Sequence, residues 1–289
     1  SMTVSNAGLT ALLGSPVAHS ISPLMHNESF RLLGLDYVYL CFDVNEETLP
    51  AAVAGLKTCG IRGFNLTMPN KNKIVELLDE LSPEAQLIGA VNTVLNDNGK
   101  LIGYNTDGYG FMQSVRDAGH DITGKNITVM GVGGASMAIC AQSALDGAAS
   151  VHIFARRTSR YWNRTQKFAE NLSAKTGCQV CLFDNDDHTA LRDSIAQSYL
   201  LINATSVGMV PDIDDTIIKD TSLFHPELVV ADVVYEPQET RLLREAKAAG
   251  CQTFNGMYML LHQGAKAFQI WTGQEMPVSV IKEKYFSVK

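Results

Sequence analysis

The 289-residue chain has no apolar run approaching the ~20 residues needed to cross a bilayer. Its start, Ser1-Met2-Thr3, lacks the basic and apolar regions of a secretory signal, so a cytoplasmic protein is expected. Basic charge is scarce too. The 23 Lys and Arg stand against 30 Asp and Glu, and the net charge of −7 argues against nucleic acid or an anionic membrane as partner. Six scattered cysteines give no disulfide framework. Two of them spell Cys178-Gln179-Val180-Cys181, but no second Cys/His pair follows at ligand spacing and the segment reads as a strand. Structural thiols and no metal are expected. What remains is an ordinary folded composition, 46% hydrophobic and 18% charged, at a length suited to about two domains.

The pattern that is present is alternation. From residue 126 onward, apolar strands at 127–130, 151–154, 180–183, 200–204 and 228–234 are separated by helical stretches at 136–145, 164–174 and 188–196. Strands alternating with helices imply βαβ units and a parallel sheet. The first hundred residues alternate as well, with strands at 9–14, 37–44 and 62–66 and a pair at 92–95 and 101–104. Asp97-Asn98-Gly99 joins that pair, a strong hairpin signal. A last helical stretch covers 256–271.

The strand at 127–130 runs into Gly131-Val132-Gly133-Gly134-Ala135-Ser136 and then a helix-forming run. This is the strand–turn–helix that brings backbone N–H groups to a pyrophosphate, although the third glycine of G-x-G-x-x-G is Ser136 here. A tight βα turn without ligand is the alternative. More than a hundred residues precede the loop, so a cofactor module inserted into a substrate module is expected. The fold class is α/β with two α/β domains. A substrate-binding domain at 1–110, completed by helices at 257–289, accompanies a Rossmann-type doubly wound dinucleotide-binding domain at 111–256.

Three polar clusters lie in the first half. In His19-Ser20-Ile21-Ser22-Pro23, Ser22 reads either as a helix N-cap before Pro23 or, with Ser20, as a neutral site for a carboxylate. In Asn65-Leu66-Thr67-Met68-Pro69-Asn70-Lys71, a strand ends and Lys71 opens a helix, where the dipole disfavours a cation. A surface lysine is the plain alternative. Asn92-Thr93 and Asn105-Thr106-Asp107 are each read as following a short strand. Asp107 either caps a helix or pairs with Lys71 as an acid/base unit.

In order, Ser20-Ile21-Ser22-Pro23, Asn65 to Lys71, Asn92-Thr93, Asn105-Thr106-Asp107 and the glycine loop resemble the shikimate dehydrogenase family. Asn203-Ala204-Thr205-Ser206-Val207-Gly208-Met209, Asp232-Val233-Val234-Tyr235-Glu236-Pro237 and Gly256-Met257-Tyr258-Met259-Leu260-Leu261-His262-Gln263 extend the resemblance over the whole chain. The tail from Trp271 to Pro277 is similar to the quinate/shikimate branch. The resemblance implies an oxidoreductase of aromatic amino-acid biosynthesis that interconverts shikimate and 3-dehydroshikimate. Lys71 and Asp107 would be its catalytic pair. Ser20 and Ser22 would hold the substrate carboxylate with Tyr235 nearby, and Thr67, Asn92, Asp107 and Gln263 the ring hydroxyls. Gly131, Gly133, Gly134, Ala135, Arg156, Arg157, Thr205, Val207, Met209, Val233 and Gly256 would hold the cofactor. A monomer or homodimer is expected.

NAD-binding proteins place an acid about 20 residues beyond the glycine loop. This chain has Ala155-Arg156-Arg157-Thr158 instead, where arginines suit a 2′-phosphate. Ala155 replaces the Asn of NADP-type relatives, and Thr158 the acid of the NAD-accepting branch. NADP is the expected cofactor, with NAD use, and quinate as substrate, the alternative. Asn163-Arg164-Thr165 follows a little later but reads as too far into the helix to be the Asn-Arg-Thr of those NADP-type relatives. A regulator without catalysis, or a related amino-acid or folate-type dehydrogenase, would keep the same scaffold; Ser20 and Ser22 argue against the latter.

Overall fold

The structure is a computed structural model that describes residues 7–17 and 20–287. His19 and Ser1-Met2-Thr3 lie outside the described residues. Two compact units divide the chain, Ser1–Thr106 with Leu261–Lys289, and Asp107–Leu260. Both are α/β, as the alternation of the sequence implies.

The first unit holds β1 (Gly8–Gly14), α1 (Ser22–Leu33), β2 (Tyr37–Asp43), α2 (Leu49–Thr58), β3 (Gly63–Leu66), β4 (Glu80–Leu81), α3 (Pro83–Ile88), β5 (Thr93–Asp97) and β6 (Lys100–Tyr104). Its sheet runs β2-β1-β3-β5-β6-β4. β1 is parallel to β2 and β3, whereas β5 is antiparallel to both β3 and β6. The β5–β6 turn takes left-handed backbone at Asn98 (φ 51°) and Gly99 (φ 95°), the reason an Asn-Gly pair closes it. One sheet face packs Ala11, Leu13, Phe64, Leu66 and Val94 against Leu49 and Val53 of α2.

An aromatic group of His26, Phe30, Tyr39, Phe268 and Trp271 fills a second core region of this unit. It brings in α9 (Met257–Thr272), which α10 (Val278–Tyr285) follows. Trp271 Nε1 donates to the Val94 carbonyl at 3.0 Å, and Arg62 Nε donates to the Trp271 carbonyl at 2.8 Å. A Cβ on Gly63 would stand 2.2 Å from Trp271 Nε1, so only glycine admits that indole.

The second unit holds α4 (Asp107–Asp117), β7 (Asn126–Met130), α5 (Gly134–Leu145), β8 (Ser150–Ala155), α6 (Trp162–Thr176), β9 (Gln179–Asp184), α7 (His188–Gln197), β10 (Leu200–Asn203), β11 (Val229–Asp232), α8 (Arg241–Ala248) and β12 (Gln252–Phe254). Its sheet, β12-β11-β10-β7-β8-β9, is parallel throughout. Strand order reverses between β7 and β10, which places the loop after β7 at the switch point where doubly wound sheets bind ligands. β10 and β11 are buried at every residue, which explains their unbroken apolar runs. The cysteines are free. Cys178 lies just before β9, its thiol pushed up to about 11 chiefly by burial, and Cys181 is exposed within that strand. Burial is the setting of an inert structural thiol for Cys178.

His26 is fully buried, stacks on Tyr39 with ring centroids 4.6 Å apart, and has no hydrogen-bond partner at either ring nitrogen among the described residues. Burial lowers its pKa from 6.5 to about 3. The unfolded chain therefore takes up a proton below pH 6.5 that the folded chain refuses. Stability should fall with pH between 6.5 and 3 by about 1.4 kcal/mol per unit from this residue alone. Thermal unfolding of the parent and His26→Phe from pH 7 to 4 checks this: the parent should lose stability more steeply, and equal slopes would refute the assignment.

Candidate functional site

In the first unit, register brings the polar clusters to one end of the sheet. Thr93 pairs with Asn65 across β3–β5 and with Tyr104 across β5–β6. The ends of β3 and β6 and the start of β5 are thus neighbours. Asn92 precedes β5 rather than following a strand, a correction imposed by the antiparallel direction of β5.

Ser22 is not the cap of α1. Ile21 holds that place with helical angles, and no side chain caps the helix. Ser20 Oγ instead accepts the Ser22 N–H at 3.2 Å, while the buried Ser22 hydroxyl hydrogen-bonds to Tyr39. The Tyr39 hydroxyl donates to Asn65 Oδ1 at 2.8 Å. Asn65 Nδ2 in turn donates to the Asn92 carbonyl at 3.1 Å and to Thr93 Oγ1 at 3.0 Å. This chain of bonds links all three clusters.

Asn70, fully buried, donates to the carbonyls of Leu13 (3.3 Å) and Val44 (2.7 Å), so it binds the loop after β3 to the ends of β1 and β2. The Thr67 N–H donates to the Leu13 carbonyl at 3.1 Å. Lys71 is half-buried, two residues ahead of a short 3₁₀ turn (Lys73–Leu77) rather than at the start of an α-helix, and its carbonyl accepts from Val91 N–H at 2.9 Å.

Asn92 is 3% exposed. Its Nδ2 donates to Thr106 Oγ1 at 3.0 Å, and its Oδ1 accepts the Thr106 N–H at 2.9 Å. Asn105 is held by Glu84, whose Oε2 accepts its N–H at 3.2 Å, and by the Ala90 carbonyl, which accepts its Nδ2 at 3.1 Å. Burial raises the Glu84 carboxyl pKa against the pull of these N–H donors. Gln263 is half-buried on α9, beside Gly264, where a Cβ would come within 2.3 Å of Met25 Cε.

The second unit contains a cleft of about 830 Å³ at the C-terminal ends of β7, β8 and β10. Gly131 and Val132 form its floor, Ala155, Arg156, Thr158, Ser159, Arg160 and Tyr161 one wall, and Thr205 and Val207 another. Gly131 has φ 112°, and a Cβ there would meet Thr205 Cγ2 at 2.7 Å, so the loop needs this glycine. Gly133 and Gly134 are exposed with nothing within 4 Å of a built Cβ, and α5 begins at Gly134 with its N–H groups beside this open loop. Ser136, in the place of the third glycine, is buried and donates Oγ to the Gly131 carbonyl at 2.6 Å. The hydroxyl draws the turn together, so the departure from the fingerprint leaves the cradle intact. An anionic dinucleotide fits this loop.

Two residues quoted in the sequence motifs but given no role there hold the cleft's second wall. Asp232, wholly buried, accepts from Asn203 Nδ2 (3.1 Å), Val234 N–H (3.0 Å) and Thr240 Oγ1 (2.8 Å), and burial pushes its carboxyl up to about 6. Asn203 Oδ1 accepts the N–H and hydroxyl of Thr205, and its Nδ2 also donates to the Val207 carbonyl. Gly256 passes so close to Val233 that a Cβ would lie 2.0 Å from its carbonyl oxygen. Asp107 is the first residue of α4, Met209 is exposed, and Tyr235 is half-buried three residues beyond β11.

Arg156 and Arg157 are exposed after β8, and only Arg156 lines the cleft. Arg157 lies over the Trp162 ring at 5.0 Å. Arg164 stands in the first turn of α6, inside the helix as its place in the sequence implied, and its Nη2 donates back to the Val132 carbonyl at 3.4 Å. Among the described residues no group of His, Cys, Asp and Glu could hold a metal ion, and no helix is long and apolar enough to cross a membrane.

Family models for the shikimate dehydrogenase substrate binding domain and the shikimate 5′-dehydrogenase C-terminal domain match residues 12–94 and 256–284. A shikimate dehydrogenase (NADP(+)) from Listeria innocua is 51% identical over 96% of this chain and 95% of its own. A solved shikimate 5-dehydrogenase from Listeria monocytogenes, in complex with shikimate and NAD, is 50% identical with a TM-score of 0.94, covering 98% of this chain and 97% of that one. A quinate dehydrogenase from Corynebacterium glutamicum in complex with NAD is 31% identical with a TM-score of 0.85, covering 98% and 99%. With that identity over nearly its full length, the chain belongs to the shikimate dehydrogenase family.

Proposed function

We propose that the protein interconverts shikimate and 3-dehydroshikimate with NADP(H), a step of aromatic amino-acid biosynthesis. The observation that carries this is the gathering of Ser20, Ser22, Thr67, Lys71 and Asn92 at one end of a sheet by buried hydrogen bonds. A polyhydroxylated carboxylate needs such a set of fixed hydroxyl and amide groups.

In this reading Ser20 and Ser22 take the substrate carboxylate, and the Ser22 hydroxyl turns its one proton from Tyr39 to that group. Thr67, Asn92, Asp107 and Gln263 orient the ring hydroxyls, with Tyr235 near the carboxylate. Lys71 and Asp107 manage the proton of the reacting hydroxyl. The N–H groups at Gly131, Gly133, Gly134 and Ala135 hold the pyrophosphate, Arg156 and Arg157 favour a 2′-phosphate, and Thr205, Val207, Met209, Val233 and Gly256 line the rest of the cofactor's path. The bound nicotinamide supplies the hydride chemistry. The chain's own contribution is placement and proton handling.

The NAD held by the Listeria monocytogenes structure and the quinate dehydrogenase likeness favour a second reading, quinate and NAD use. Comparing kcat/KM for shikimate and quinate, each with NADP and NAD, decides between them. The highest value should belong to shikimate with NADP; no turnover of either acid would overturn both readings and leave a regulator.

Lys71→Ala should lower kcat by ~10² or more, the scale of general acid–base catalysis, with a much smaller change in KM for shikimate. Steady-state kinetics check this, and a kcat close to the parent's would remove Lys71 from the chemistry.

Ser22→Ala should act mainly on KM, at a cost of ~1.5–3 kcal/mol for one hydrogen bond to a charged group. Ser22 does not cap α1 but bonds to the buried Tyr39, so the melting temperature should fall only modestly, at a cost of about 1 kcal/mol of stability for one hydrogen bond. A large drop in melting temperature at unchanged KM would make Ser22 a structural residue only.

A further inference from the structure

At the end of β6 and just beyond it, four consecutive residues are each bonded by the segment that runs from β4 to β5. The Gly103 carbonyl accepts the Ser82 N–H at 2.8 Å, and the Tyr104 carbonyl accepts the Asn92 N–H at 3.0 Å. Glu84 Oε2 accepts the Asn105 N–H at 3.2 Å, and Asn92 Oδ1 accepts the Thr106 N–H at 2.9 Å. The next residue is Asp107, where α4 begins.

Glu84 is the acid in this clamp. It lies in the first turn of α3, where a carboxylate that merely complements the helix N-terminus is the plain alternative. Such an acid ordinarily faces water, but this one is half-buried, and its Oε2 takes donors from three residues. The Ser82 hydroxyl and the Ala85 N–H (2.8 Å) belong to the start of its own helix, whereas the Asn105 N–H comes from beyond β6. Asn105 is also held from past the other end of α3, its Nδ2 donating to the Ala90 carbonyl at 3.1 Å. The short helix thus grips, from both its ends, one residue that stands two before Asp107. A carboxylate oxygen accepts such bonds more strongly than a neutral carbonyl does.

We propose that Glu84 is a positioning residue for Asp107, fixing through Asn105 the backbone from which the Asp107 carboxylate projects. The assignment rests on the role given to Asp107 in the function proposed above. Proton handling tolerates little displacement, and a misplacement of about 1 Å can cost ~10² in rate. In the full-length enzyme, Glu84→Asp keeps an acid in the first turn of α3 but draws its oxygens back by one methylene. Its kcat for shikimate should fall about tenfold or more, with KM for NADP unchanged. Glu84→Gln keeps the reach and an accepting oxygen, so it should retain most of the parent's kcat. In an Asp107→Asn background, Glu84→Asp should cost nothing further, because an effect carried by Asp107 is lost with it.

Hydrogen exchange at the Asn105 amide reads the clamp without turnover: it should quicken in Glu84→Asp and stay near the parent's rate in Glu84→Gln. An unchanged kcat in Glu84→Asp, whatever its melting temperature, would make Glu84 a helix acid only. The same fold loss in the parent and Asp107→Asn backgrounds would mean that Glu84 acts on the fold at large. Either result overturns the proposal. If the parent does not oxidise shikimate, the functional reading falls instead, and exchange at Asn105 alone decides whether Glu84 holds this segment.

Discussion

Everything at the polar end of the first unit's sheet depends on buried amide side chains that continue hydrogen bonding where the strand ladder stops. Beyond a strand end, backbone N–H and C=O groups lose their neighbours, and leaving them buried and unpaired costs about 1–3 kcal/mol each. Asn65, Asn70 and Asn92 meet that demand by reaching the carbonyls, hydroxyls and amides of segments distant in sequence. The result is a rigid floor on which Thr67 and Lys71 stand. A loop held this way keeps a functional side chain in place better than a loop held by surface charge.

The second unit meets the same demand with a carboxylate. Asp232 and Asn203 lie opposite each other in the β10–β11 register and tie the two loops that follow these strands. Keeping that acid buried is costly, as its raised pKa shows, and three donors offset the cost. Ser136 does comparable work at the glycine loop, closing the turn onto Gly131 with its hydroxyl.

The alternation of strands and helices was legible because hydrophobic period and glycine placement are local properties. The Asn98-Gly99 turn and the buried β11 could be read from a few residues each. Partnerships across the chain could not. Nothing near Ser22 in the sequence points to Tyr39, so a cap stayed one of its two open readings although the Ser-Pro pair is the first turn of α1. Nor does anything near Arg164 in the sequence show that the start of α6 returns its guanidinium to Val132, 32 residues back. The two-residue β4 and the 3₁₀ turn at Lys73–Leu77 are too short to show any period.

The amides of the first unit and the arginines of the second are held by different physics. The amides of the first are buried, so their bonds act at low dielectric and resist competition from water. The arginines of the second stand at an exposed rim, where salt screens charge beyond roughly 8 Å at physiological ionic strength. A guanidinium there discriminates between ligands only in direct contact, and a long, mobile side chain makes such contact poorly. Stacking on Tyr161 and Trp162 counters that mobility. On the proposed reading of the cofactor, preference at this rim rests on stacked side chains rather than on buried amides.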